Sequence, residues 1–203
     1  MPWYEYWKHV LFGIRTNYES AITRKGSEAI DADIVNARDL QMGSNLLWLL
    51  EEKYKNRKVI VWAASFHNCR NLGGLLSIDE KLFYMNEIYK KTVTMGDIVH
   101  KSLGNKMYSI VFTGYKGSFR SFNNEGAEEI NKPAEESIEN ILEGLGYENS
   151  YIDLRNPKNP EWLKQKFVSR PLGNNEMEGV WSNITDGIFY TKELKPSTFG
   201  NGE

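Results

Sequence analysis

A single cysteine, Cys69, is all the thiol chemistry available to this chain of 203 residues. One thiol excludes an internal disulfide framework and a cysteine-built zinc cluster, and it suits a reducing compartment. The cytoplasm is therefore the expected location. Charge of one sign is lacking too: the formal net charge is −2, with acids and bases mixed along the chain. Without a basic stripe there is no electrostatic footprint for nucleic acid. No apolar run approaches the length of a membrane span. Neither nucleic acid nor a membrane is an expected partner. The opening Met1-Pro2-Trp3-Tyr4-Glu5-Tyr6-Trp7 lacks the basic start and small-residue cleavage site of a signal peptide. It reads instead as the middle of a helix, as if the chain were cut from a longer protein.

Several catalytic patterns are also missing. No Gly-x-Ser-x-Gly elbow is present. His9, His67 and His100 stand far apart, with no His-x-x-x-His or carboxylate pattern of a zinc site. Ser65, His67 and Cys69 are spaced by two, which does not by itself join a nucleophile to a base. Gly73-Gly74 and Gly96 have no phosphate-loop lysine beside them. Neither a metal nor a cofactor is expected.

What is present is a periodic pattern. Trp3, Trp7, Val10, Leu11, Ile14, Tyr18 and Ile22 recur at helical spacing over residues 3–24, and a second helix is predicted from about residue 30 to 54. Residues 58–64 read as a strand, apolar enough to be buried in a mostly parallel sheet. An Asn- and Gly-rich loop follows to Leu76. Residues 79–90 and 94–103 should be helical, residues 107–113 a second buried strand, and residues 114–117 a turn into a short strand at 118–122. Residues 123–132 are polar and read as an exposed loop. Pro133 marks a helix start, with Ile138, Ile141, Leu142 and Leu145 on one face and Gly146 at its end. Short elements are predicted at 151–154 (strand), 160–167 (helix), 171–180 (loop) and 187–190 (last strand). The expected architecture is one α/β domain over residues 1–194, layered α/β/α around a mostly parallel sheet, with a polar tail at 195–203.

Three segments carry candidate chemistry, and a further position, Asp186, reads as structural. On the second helix, Arg38, Gln41, Met42 and Asn45 share a face at steps of three and four. From Leu46 onward that helix is apolar nearly all round, as a buried helix is. Arg38 either pairs with a structural carboxylate or points its guanidinium into a site for a carboxylate or oxyanion. His67 falls just past the carboxyl end of the predicted 58–64 strand, where open α/β sheets place ligands. It is either an acid, base or oxyanion donor, or a histidine tied into a loop. Tyr115 sits near the carboxyl end of the next strand, as a turn aromatic or a ligand contact. Asp186 begins the last strand and suits local backbone capping.

These segments together resemble the erythromycin esterase family, including members labelled succinoglycan-biosynthesis-like. The resemblance rests on Arg38, Asp39, Met42, Asn45 and Trp48, then Trp62, Ala63 and His67. It continues through Met95, Gly96, Tyr108, Ile110, Phe112, Thr113 and Gly117 to Asp186 and Tyr190, in order and at matching spacing over about residues 30–190. It implies hydrolysis of a carboxylic ester or lactone, such as a macrolide lactone, by base-activated water. His67 and Arg38 would contribute catalytically, with Asn45, Trp62 and Tyr115 as substrate contacts. Two departures stand out. Ala64 occupies the position of the family's first loop histidine, with Ser65 after it. Nothing here matches the Gly-Glu-x-x-His region of the family's N-terminal half, which carries its proposed general base. The resemblance therefore implies a C-terminal half, inactive alone, whose partners are a small-molecule ester and either the missing half or a second copy of the chain. The alternatives are a non-catalytic domain that binds a ligand or partner, and an enzyme acting on a polysaccharide substituent. A hydrolase half-site predicts that Arg38 and His67 converge on one pocket. A docking domain predicts an exposed apolar face.

Overall fold

The computed structural model describes residues 3–25, 32–120 and 126–196. Helix α1 (Trp3–Lys25) packs on α2 (Ala32–Glu52). The two meet through polar groups: His9 Nδ1 lies 2.9 Å from Asn45 Oδ1, and its ring stacks on Trp48 at 4.4 Å. The apolar stripe of α1 faces away from that contact, so Trp3, Trp7, Leu11, Ile14, Tyr18 and Ile22 are 49–75% exposed. Residues 46–50 of α2 are only half-buried, not enclosed as their composition suggested. Helix α1 does not bury them fully because it presents its polar side.

The largest departure from expectation is at residues 58–64, which form neither a strand nor a buried segment. No backbone hydrogen bond joins residues 58–63 to a neighbouring strand among the described residues. Exposure alternates, at 37% for Val59, 93% for Ile60, 41% for Val61 and 86% for Trp62. A period of two is that of extended chain. The segment thus has the shape and composition of a strand without a partner.

Helix α3 (Ser65–Asn68), strand β1 (Leu76–Ser77), helix α4 (Phe83–Lys91) and helix α5 (Met95–Leu103) follow. Thr94 and Asp97 close a capping box that starts α5 where the sequence predicts it. Strand β2 (Ile110–Phe119) does not turn at Gly114–Gly117. It runs on, paired in parallel with β7 (Gly187–Leu194) from Ile110↔Gly187 to Gly117↔Leu194. Between them come β3 (Glu128–Glu129), α6 (Ile138–Gly144), β4 (Asn149–Asp153), β5 (Phe167–Leu172) and β6 (Asn175–Gly179). Ser137 caps α6, so the helix begins beyond Pro133. The predicted helix at 160–167 is a short 3-10 turn over Glu161–Lys164. Parts of the predicted 118–122 strand, the 123–132 loop and the 195–203 tail lie outside the described residues.

The sheets correct the mostly parallel expectation. The larger has the order β3-β2-β7-β4, and only β2 and β7 run parallel. The smaller, β1-β6-β5, is antiparallel. Its β5–β6 hairpin occupies the predicted 171–180 loop. Gly173 (φ 68°) and Asn174 (φ 60°) form a two-residue turn of the kind that matches hairpin twist. The polar residues of β6 had masked its strand character. The fold is nonetheless a mixture of helix and sheet, as expected.

The core lies on one face of the larger sheet. Val111, Ile188 and Tyr190 point into it and meet Leu72, Leu75, Met177, Trp181 and Ile184. The Trp181 indole donates to the Phe167 carbonyl at 3.0 Å. On the opposite face, Phe112, Phe189 and Tyr151 form one cross-strand row, with Trp62 against Phe112 at 5.7 Å. Phe112 and Tyr151 remain about half exposed there. Among the described residues no helix is long and apolar enough to cross a membrane.

Candidate active site

His67 stands on the one-turn helix α3, directly after the unpaired segment. Its Nδ1 lies 2.9 Å and 3.0 Å from the two carboxylate oxygens of Asp39. Asp39 is fully buried on α2, while the His67 side chain is 19% exposed. A buried carboxylate needs compensation. Asp39 has it from His67 and from the Met95 N–H, which donates to Oδ1 at 2.9 Å. Met95 is the first residue of α5, and a helix amino end favours negative charge.

Gly96 makes this approach possible. A Cβ there would fall 2.1 Å from the Cys69 carbonyl oxygen and 2.6 Å from that of Asn68. Any larger residue would push α5 off the turn that carries His67. The Thr94 hydroxyl fastens the same junction by donating to the Cys69 carbonyl. Three stretches far apart in sequence (38–39, 67–69 and 94–97) thus meet at one imidazole. Its Nε2 has no hydrogen-bond partner among the described residues.

Arg38 is exposed and makes no ion pair or hydrogen bond among the described residues. It precedes Asp39 by one residue, about 100° around α2. Asn45 accepts from Gln41 and faces His9, so it is engaged within the α1–α2 contact. Trp62 is open on the unpaired segment, and Tyr115 packs against the core. None of the five predicted residues lines the cleft at Asp186.

A cleft of about 740 Å³ does exist, lined by Arg70, Asn71, Asp97, His100, Asn105, Arg155, Ser182, Asn183 and Asp186. Its charges are already committed. Asp186 accepts from Arg70 at 2.9 Å, from Arg155 at 2.8 Å and from the Ser109 N–H at 2.8 Å. Arg155 also donates to the Asn105 and Met107 carbonyls. Burial pushes the Asp186 carboxyl upward, but Arg155, Arg70 and the Ser109 N–H outweigh it and hold the carboxyl below the usual carboxylate range. The Asp186 cluster ties β7 to the residues before β2 and to the turn after His67. Cys69 is fully buried, and burial pushes its thiol up to about 12, which leaves it unreactive. Among the described residues no three His, Cys, Asp or Glu side chains gather as a metal site.

Sequence reasoning missed Asp39 as the partner of His67. Asp39 was legible as a neighbour of Arg38, but helix geometry alone does not say which of two adjacent polar residues turns inward. The apolar surroundings of α2 favour burying the shorter side chain, whose charge a helix amino end can compensate.

The erythromycin esterase family profile matches residues 13–193. The "Putative hydrolase YbfO" of Bacillus subtilis is 22% identical over 165 residues, covering 79% of this chain and 35% of that protein. Two solved structures share the fold. A succinoglycan biosynthesis protein gives a TM-score of 0.62 at 20% identity, over 81% of this chain and 40% of that one. An erythromycin esterase mutant in its open conformation gives 0.60 at 16% identity, over 89% and 42%. The chain thus spans well under half the length of the relatives it matches. A profile that covers the helix carrying Asp39, the His67 turn, α5 and both long strands settles the affiliation: the chain belongs to the erythromycin esterase family.

Proposed function

We propose that this chain contributes to a hydrolase of carboxylic esters or lactones that acts through activated water. The observation that carries the reading is the His67 imidazole held at Nδ1 by buried Asp39, with Nε2 left without a partner. A histidine so fixed can move protons near neutral pH. Arg38, exposed on α2 next to Asp39 in sequence, can bind the substrate carboxyl or the developing oxyanion. Of the other contacts, Trp62 is the most available. Asn45 would have to leave His9, and Tyr115 would have to leave the core. In this reading the rest of the site, including the general base, is supplied by a further polypeptide, either the N-terminal half that the family has or a second copy of the chain. Macrolide lactones and acyl substituents on polysaccharides both belong to this ester class.

The test is hydrolysis of an ester panel, including a macrolide lactone and an acetylated oligosaccharide. It is run with this chain and with the longest natural polypeptide that contains it. Turnover that His67→Ala and Arg38→Ala abolish supports the reading. Turnover unaffected by His67→Ala contradicts it.

A second reading, a docking domain without chemistry of its own, is favoured by the outward apolar stripe of α1 and the open row beside Trp62. Contiguous exposed apolar surface of this kind marks an interaction face. The occupant is a polypeptide with an apolar helix face and a strand edge, or a second copy of the chain. Light scattering of the purified chain separates these: a concentration-dependent dimer favours self-association, and a strict monomer favours a separate polypeptide.

A further inference from the structure

We propose that the cleft beside Asp186 binds a neutral polyhydroxylated ligand, a sugar, through its uncharged side chains. This goes beyond the hydrolase reading and does not depend on it. The cleft, of about 740 Å³, has no apolar side chain in its lining, so it offers little to a hydrophobic ligand. Its ionised groups balance: Arg70 and Arg155 are positive, Asp97 and Asp186 negative. They are also bonded to the chain. Arg155 donates to Asp186 and to the Asn105 and Met107 carbonyls. Arg70 donates to Asp186 and to the Ser182 carbonyl. Asp97 accepts from the Asn71 and Thr94 N–H groups. A carboxylate or phosphate would therefore meet no uncompensated cation there.

What remains free is neutral. The side chains of Asn71, Asn105, Ser182 and Asn183 line the cleft and make no hydrogen bond among the described residues. The His100 imidazole joins them, and its enclosed Nδ1 has no partner. An amide both donates and accepts, and so does a hydroxyl. Amides, a hydroxyl and an imidazole therefore match the hydroxyl groups of a sugar, each of which donates once and accepts up to twice. The walls are held in place before any ligand arrives. Trp181, which starts the turn carrying Ser182 and Asn183, is fully buried. The Arg70 N–H donates to the Ile184 carbonyl at 3.0 Å, which joins that turn to the wall at Asn71. Asn71 has a left-handed backbone (φ 52°), and its N–H is fixed on Asp97 of α5 at 2.7 Å. His100 lies three residues beyond Asp97 on the same helix. A preformed set of donors and acceptors lowers the ordering cost of binding.

The test is a titration of the ¹⁵N-labelled chain with methyl glucoside, methyl galactoside and N-acetylglucosamine. It is read at the side-chain amide signals of the cleft and at the His100 ring. The expected result is saturable shifts of these signals with at least one neutral sugar. Asn105→Ala and Asn183→Ala, which also identify two of the amide signals, should each weaken that binding by about 3–10-fold, the loss of one hydrogen bond. Both residues are exposed, so neither substitution threatens the fold. At Asn71 the left-handed backbone calls for Asn71→Gly, with the same expected loss. Glucuronate and glucose 6-phosphate should bind no tighter than the neutral sugars, as the charge balance requires. Absence of saturable shifts with every neutral sugar overturns the proposal. So does tighter binding of either anionic sugar, or binding that all three cleft substitutions leave unchanged. Ester hydrolysis plays no part in the readout, so the sugar site and the hydrolase reading fail separately.

Discussion

Two regions of this molecule are both rich in apolar side chains and have opposite fates. The described residues of 69–190 close around Trp181, Ile184, Ile188 and Tyr190, all fully buried. Helix α1 and residues 58–64 are also rich in large apolar side chains, yet Trp3, Trp7, Ile60 and Trp62 stay exposed. Composition alone does not separate the two. What separates them is whether each face finds a partner within the chain: β5 and α6 cover one side of the larger sheet, while on the other Phe112 and Tyr151 stay about half exposed, with Trp62 against Phe112. Relatives more than twice as long have that much more chain from which such cover can come.

Tryptophan substitutions sharpen the contrast most. Trp181→Ala should cost about 3–5 kcal/mol in urea unfolding, because it empties the core and frees the Phe167 carbonyl. Trp62→Ala should change stability by about 0.5 kcal/mol or less, as an exposed surface substitution does. Equal costs would erase the distinction between the regions.

Next in size is the ion-pair cluster. Asp186→Ala should destabilise by about 3 kcal/mol, since it strands Arg70 and Arg155 in a partly buried site. The folded Asp186 carboxyl is held below its unfolded value. Its contribution is therefore complete above the unfolded value near pH ~4 and fades as pH falls through the lower folded value. Wild type should lose stability on acidification below pH ~4 more steeply than Asp186→Ala in paired unfolding curves. Parallel curves would remove the cluster from the account.

The smallest effect is chemical. Cys69 lies within the packed region, with burial pushing its thiol up to about 12. Thiol-specific reagents should label it only as fast as the chain opens, and at full rate in denaturant. Rapid labelling in native buffer would mean that the junction between α3 and α5 is loose.

Much of this was legible in the sequence. The helical periods of α1, α2 and α5, the existence though not the bounds of strand β2 and the family order of Arg38 to Tyr190 depend on local patterns, and local patterns survive in one chain. The state of residues 58–64 was not legible. Val59-Ile60-Val61-Trp62 specifies a buried strand, but burial needs a neighbour that no local pattern supplies. The β5–β6 hairpin left a signal in Gly173-Asn174, overshadowed by the polar residues of β6. At the site, His67 was found from its place after a strand-like run. Asp39 was not, because its inward turn depends on α5 arriving at Met95, a contact 56 residues away.

The central claim is that the meeting of Asp39, His67 and Met95 serves ester chemistry. Its most direct test is kcat/KM for an ester turned over by the longest polypeptide containing this chain, compared between wild type and His67→Ala. The account predicts a loss of about 10²–10⁴-fold with the fold intact by circular dichroism. Unchanged kcat/KM would contradict it and leave the Asp39–His67 pair as a structural clasp.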